Sequence, residues 1–163
     1  METIHYFKSP LGWMEITTTT STLKQLKFVS KMLPSQNKMS TIAQKTAEAL
    51  RLYFSNPKSV PSVPLLPEGT AFQKKIWKLI ADIPPGETRT YYQIASEIGN
   101  PKAVRAVGTA LGQNPILIFI PCHRVIGSGG GPDGLCRWNR EKKKVARTRR
   151  LSHSKNTRFV KNN

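Results

Sequence analysis

The stretch that most constrains this 163-residue chain is TYYQIASEIGNPKAVRAVGTALGQN, residues 90–114. It holds the start and stop signals of two short helices, back to back. Thr90 and Gln93 are spaced as a capping box, in which a threonine hydroxyl and a glutamine amide satisfy each other's backbone N–H groups. Ile94 and Ile98 share one helical face, and Gly99 fits the left-handed residue that closes a helix. Asn100 is placed to cap the next helix, with Pro101 at its first position and Val104, Val107 and Leu111 on its buried face. Two small helices across a glycine turn form a helix-turn-helix pattern. The outward face of the second helix then offers Arg105, Ala106, Gly108 and Thr109. Small residues beside one arginine either admit a nucleic-acid backbone or permit tight helix packing; the pattern alone leaves both open.

The flanking sequence supplies the remaining elements. TAFQKKIWKLIADIPPG reads as a helix capped by Thr70, with an apolar stripe of Phe72, Ile76, Leu79, Ile80 and Ile83 and a stop at Pro84-Pro85. Before it, SNPKSVPSVPLLPEGT carries four prolines and reads as a linker or extended edge. Residues 41–54 place Ile42, Ala49, Leu50 and Tyr53 on one helical face, with Thr46 as its polar exception. Residues 4–29 alternate in places and read as short strands around a Pro-Leu-Gly turn. The expected architecture is α/β of the α+β kind. A small N-terminal sheet lobe covers 1–65, a helix-turn-helix, winged-helix-like lobe covers 66–131, and a basic tail covers 132–163.

The longest apolar run, residues 116–120, is one strand's worth and far short of a membrane span. No secretion signal opens the chain, and its only cysteines are Cys122 and Cys136. Together these predict a cytoplasmic protein with a free thiol and no cysteine-rich metal site. Formal net charge is +17, of which residues 132–163 contribute more than half, with 11 Lys/Arg against 2 Asp/Glu. The basic excess points to nucleic acid only slightly ahead of mere solubility.

PILIFIPCHRV sets Cys122 at the end of the apolar run, with His123 next to it. A thiol acts as a nucleophile only as thiolate, and a neighbouring imidazole can take its proton. A lone cysteine after an apolar strand is otherwise an inert core residue. Asn114 stands just before the run, where its amide can hold a ligand or the turn.

GQNPILIFIPCHRVIGSGG, with FQKKIWKLIADIPPGETRTYYQIASEIGNPKAVRAVGTAL upstream, resembles the O6-alkylguanine-DNA alkyltransferases, also called methylated-DNA–protein-cysteine methyltransferases. The likeness runs over residues 72–128, and the Pro-Cys-His-Arg-Val motif is highly specific; residues 1–65 resemble the variable N-terminal lobe only weakly. The resemblance implies a monomer without cofactor or metal that binds duplex DNA containing an alkylated base through the minor groove. The damaged nucleotide, O6-alkylguanine or O4-alkylthymine, is flipped out of the stack. Cys122 matches the acceptor of the alkyl group, and its stable thioether means that each molecule acts once. Asn114 matches a residue that orders the site, and His123 one that relays the thiol proton through water to a buried glutamate. Arg105 matches the arginine that fills the gap in the duplex, and Tyr91 the tyrosine that presses on the phosphate. Tyr92, Asn100 and Ser128 match positions near DNA.

The resemblance stops at the tail. GPDGLCRWNREKKKVARTRR stands where the family has a Gly-Leu-Thr-Gly-Tyr-Ala-Gly-Gly segment and a helix carrying the glutamate. In register, the glutamate falls on Arg149, the base-binding tyrosine on Leu135, and the paired glycines on Arg137 and Trp138. A reading frame shifted by one base from about Gly131 permits Gly-Leu-Thr-Gly-Tyr-Ala-Gly-Gly-Ile-Glu-Lys-Lys-Lys-Lys-Leu-Leu, with a glutamate at the position of Arg149. A frameshift near residues 129–131 is therefore expected, ahead of a divergent basic tail that grips phosphates. Such a tail has no apolar stripe and predicts disorder or a loosely attached helix from about residue 132, with a less reactive thiol. Two other readings compete. One is a binder of alkylated DNA that transfers nothing, although such relatives lack the cysteine. The other is a cysteine hydrolase, which leaves the helix-turn-helix unexplained.

Overall fold

A three-stranded antiparallel sheet opens the chain, in the order β1 (Thr3–Ser9), β2 (Gly12–Thr18), β3 (Leu23–Phe28). The computed structural model describes residues 1–34, 38–56, 58–59 and 62–129. The tail, with Leu135, Cys136, Arg137, Trp138 and Arg149, lies outside the described residues, as does the expectation of disorder there. The β1–β2 turn is closed by Ser9, whose hydroxyl donates to the Gly12 carbonyl at 2.8 Å and accepts from the Leu11 N–H. Met14 and Ile16 of β2 are fully buried, as a central strand's inward positions must be. Helix α1 (Thr41–Ser55), capped by the Ser40 hydroxyl, buries Ile42, Ala43, Thr46, Ala47, Leu50 and Tyr53. Thr46 is tolerated in this apolar face because its hydroxyl donates to the Ile42 carbonyl at 2.8 Å.

The outer edge of β3 is covered by two distant segments. Leu23 exchanges backbone hydrogen bonds with Pro64 and Leu66, and Leu26 with Pro115 and Leu117, all between 2.8 and 3.0 Å. Both contacts are parallel bridges, Leu23 with Leu65 and Leu26 with Ile116. The proline-rich stretch thus ends as an edge partner of the sheet, and the sequence before Cys122 hangs from the same strand.

Helix α2 (Ala71–Ala81) carries the capping box of Thr70 and Gln73. Ile76, Trp77 and Ile80 are its buried face, each worth roughly 1.5–3 kcal/mol or more in transfer terms. Phe72, which the spacing places on the same stripe, is 37% exposed, because the first turn of α2 reaches the surface before the core begins at Ile76. The Trp77 indole N–H donates to the Ala110 carbonyl at 2.8 Å, tying α2 to the last helix. Gly69 leaves room for that ring at the entry to α2: a Cβ there would stand 2.5 Å from Trp77 Cη2.

Strand β4 (Arg89–Thr90) leads straight into α3 (Tyr91–Glu97), whose capping box is Thr90 with Gln93. Gly99 adopts φ +84, its N–H donates to Ser96 and the Asn100 N–H to Ala95, the paired bonds of a Schellman close. The next helix then departs from expectation. Residues Pro101–Ala103 form a 3-10 turn before α4 (Val104–Gly112), and the Asn100 side chain makes no capping bond. Proline removes one of the N–H groups a cap would serve, and the Asn100 carbonyl instead accepts from the Ala103 N–H. Gly108 also differs: it is buried with Val107, Ala110 and Leu111, so the outward face of α4 consists of Arg105, Ala106 and Thr109. After Cys122, β5 (Val125–Ile126) runs parallel to β4, with Thr90 opposite Ile126. The chain is a mixed α+β protein with a small antiparallel sheet and a helix-turn-helix. Among the described residues no helix is long and apolar enough to cross a membrane.

Candidate active site

Residues 116–120, the longest apolar run, do not form the strand their composition predicts. Only Ile116 bridges β3; the chain then folds into a tight turn in which the Phe119 N–H donates to Leu117 and the Ile120 N–H to Ile116. Ile118 takes φ +70, a conformation that a β-branched residue adopts only under constraint, at a cost on the order of 1–3 kcal/mol. The constraint is visible. Buried Asn114 donates its amide N–H to the Ile120 carbonyl at 2.8 Å and accepts from the Ile116 N–H at 3.0 Å, so it clamps both ends of the turn. The Ile120 carbonyl also accepts from the Cys122 N–H at 2.8 Å. One oxygen therefore joins Asn114 to the backbone of the cysteine.

Cys122 begins a 3-10 turn, Cys122–Arg124, and carries a thiol outside any disulfide, only 2% exposed. His123 and Arg124 are buried beside it. Arg124 donates to the Ile83 carbonyl, two residues past α2, at 2.6 Å, which fastens the turn to the helical half. His123 Nε2 stands 3.5 Å from the hydroxyl of Tyr53 on α1. Burial pushes the Tyr53 phenol up to about 12; nearby Arg124 opposes that shift and Cys122 adds to it. The phenol is thus a neutral hydroxyl throughout the physiological range. Neither Arg124 nor Tyr53 stands out as a site residue in the sequence. Arg124 lies within the motif without an evident role, and Tyr53 is 70 residues from His123 with no local pattern to connect them.

The remaining expected site residues sit apart from this buried cluster. Tyr92 is 58% exposed on α3, Asn100 and Arg105 are exposed in the turn and on α4, and Ser128 is exposed two residues past β5. Because β5 pairs with the strand that enters α3, Ser128 is carried toward the start of that helix. Tyr91 differs from them: it is the first residue of α3 and is nearly fully buried in the core.

A family model described as the DNA-binding domain of 6-O-methylguanine DNA methyltransferase matches residues 71–152, half of the chain. The chain belongs to this family. The methylated-DNA–protein-cysteine methyltransferase of Methanosarcina acetivorans is 42% identical over 129 residues, covering 76% of this chain and 83% of the relative. That of Haemophilus influenzae is 41% identical over 128 residues, covering 75% and 72%. The crystal structure of the Mycobacterium tuberculosis O6-methylguanine methyltransferase superposes with a TM-score of 0.80 at 32% identity, over 93% of this chain and 94% of that one. A crystal structure of OGT from the same bacterium in complex with DNA gives 0.76 at 34% identity, over 90% and 92%. The methyltransferase likeness therefore takes in the N-terminal sheet as well as the helix-turn-helix.

Proposed function

We propose that this chain repairs alkylated DNA by moving the alkyl group from O6 of guanine in a duplex onto Sγ of its own Cys122. The observation that carries this is a buried free thiol followed by a buried histidine, on a clamped turn that follows a helix-turn-helix, in a chain of this family. The transfer is one in-line displacement. The S–C bond forms as the C–O6 bond breaks, the thiol gives its proton to His123, and the guanine takes up one proton as its lactam is restored. The thioether has no group to release, so one molecule repairs one lesion. Cys122 is too buried to meet a base inside a duplex, so the nucleotide must be turned out of the stack, at a few kcal/mol. In this reading exposed Arg105 fills the vacated place. Exposed Tyr92, Asn100 and Ser128 contact the DNA around it, Tyr91 packs in the core at the start of α3, and Asn114 holds the turn. The basic balance of the chain favours that partner through phosphate contact.

The test is the intact mass of the protein after incubation with a duplex oligonucleotide carrying O6-methylguanine, beside a Cys122→Ser variant. A gain of one methyl mass, absent from the variant, is expected. A protein that binds the duplex and gains nothing refutes transfer and leaves a binder of alkylated DNA.

A further inference from the structure

We propose that Tyr53 of α1 is a positioning residue for the reaction: its hydroxyl holds the His123 ring at Nε2 while that ring takes the Cys122 proton. Tyr53 and His123 are 2% and 5% exposed, and their polar atoms stand 3.5 Å apart, so neither can exchange this contact for bulk water without opening the core. A phenol suits the task because its oxygen accepts without carrying charge. Nε2–H donates to that oxygen, which leaves Nδ1 bare to take the Cys122 proton, so the contact is kept in the neutral ring and in the imidazolium. Cys122 and Arg124 are close enough to act on the Tyr53 phenol, and the Arg124 guanidinium donates to the Ile83 carbonyl. The sheet acts in the same direction: β3 carries the turn before Cys122 through the Leu26–Ile116 bridge. The N-terminal elements thus reach the reacting pair twice, once through backbone and once through a side chain.

The consequence is chemical. Without the phenol oxygen the imidazolium loses an acceptor in a buried setting, and the thiolate beside it is harder to form. The experiment uses the full chain with Cys136→Ser, so that one thiol remains, and follows alkylation of Cys122 by iodoacetamide from pH 5 to 10 by intact mass. Tyr53→Phe keeps the ring and removes only the oxygen. It is expected to move the midpoint upward by about 0.5–1 pH unit, which slows alkylation at pH 7 roughly three- to tenfold and converges with the parent at high pH. Leu50→Ala, on the same buried face of α1, lowers thermal stability and leaves the midpoint in place. A Tyr53→Phe profile with an unmoved midpoint overturns the proposal, whatever its effect on stability. This inference rests on the proposed function only for its role in repair. A shifted midpoint in a protein that takes no methyl group from O6-methylguanine DNA sinks the functional reading and leaves the Tyr53 contact standing.

Discussion

The substitution Asn114→Asp keeps the size and shape of the side chain and reverses one end of it. The amide N–H that donates to the Ile120 carbonyl at 2.8 Å becomes an oxygen facing an oxygen, while the acceptor for the Ile116 N–H is retained. The Ile120 carbonyl is buried and also receives the Cys122 N–H, so the opposition falls on the oxygen that holds the cysteine backbone. Losing a buried hydrogen bond and desolvating a carboxylate against a carbonyl should cost about 2–4 kcal/mol at neutral pH. For a protein of this size that is a fall of about 6–12 °C in melting temperature. The penalty carries a pH signature. Once protonated, the introduced carboxyl can donate to Ile120 again, so the folded state raises its pKa above the unfolded value of about 3.9. The deficit is therefore smallest at acid pH and grows as pH rises through the raised value. Urea unfolding of parent and variant at pH 5 and pH 8 measures it as a difference, with Asn114→Ala as a variant that has nothing to protonate. Equal deficits at the two pH values, or a deficit below about 0.5 kcal/mol at pH 8, would refute the clamp as described.

Gly69→Ala drives a methyl to within 2.5 Å of the Trp77 ring and should destabilise by about 1–3 kcal/mol, against the gain of a few tenths that alanine usually brings through the unfolded state; a raised melting temperature would contradict it. Arg105→Ala is expected to leave the melting temperature within about 1 °C of the parent, since the side chain is exposed. Fluorescence anisotropy at several salt concentrations should show weaker duplex binding, with a salt slope reduced by about one if the guanidinium meets a phosphate. The nucleotide sequence behind residues 129–149, read one base on from Gly131, should remain open and encode a glutamate at the position of Arg149; a stop codon before that point removes the frameshift.

What the sequence disclosed was mostly what is encoded locally. The capping boxes at Thr70 and Thr90 and the closing glycine at Gly99 rest on contacts within five residues, and each is where its spacing places it. Asn100 failed as a cap for a reason that is also local, because Pro101 tightens the turn after it. Residues 116–120 were misleading because hydrophobic composition records burial and not geometry: the run is buried, but as a turn pinned by a side chain outside it. Cys122, His123 and Asn114 were legible as one motif, and the structure joins Asn114 to Cys122 through a carbonyl that no pattern names. Tyr53 could be placed on a buried helical face, but its partner lies 70 residues on, and a single chain carries no sign of that distance.

The bridge between Leu26 and Ile116 has a kinetic consequence. It closes a loop of about ninety residues, whereas the two helices of the helix-turn-helix need little beyond their own neighbours. Loop-closure entropy must be met before such a pairing returns anything, so local helices form early and the β3 edge is filled late. The turn before Cys122 is clamped locally by Asn114, but its Leu117 N–H finds the Leu26 carbonyl only once that edge is filled. In a refolding experiment, helical signal should therefore recover before the thiol becomes protected from a small alkylating reagent. The interval between them marks a species that is largely folded and has not yet acquired its chemistry.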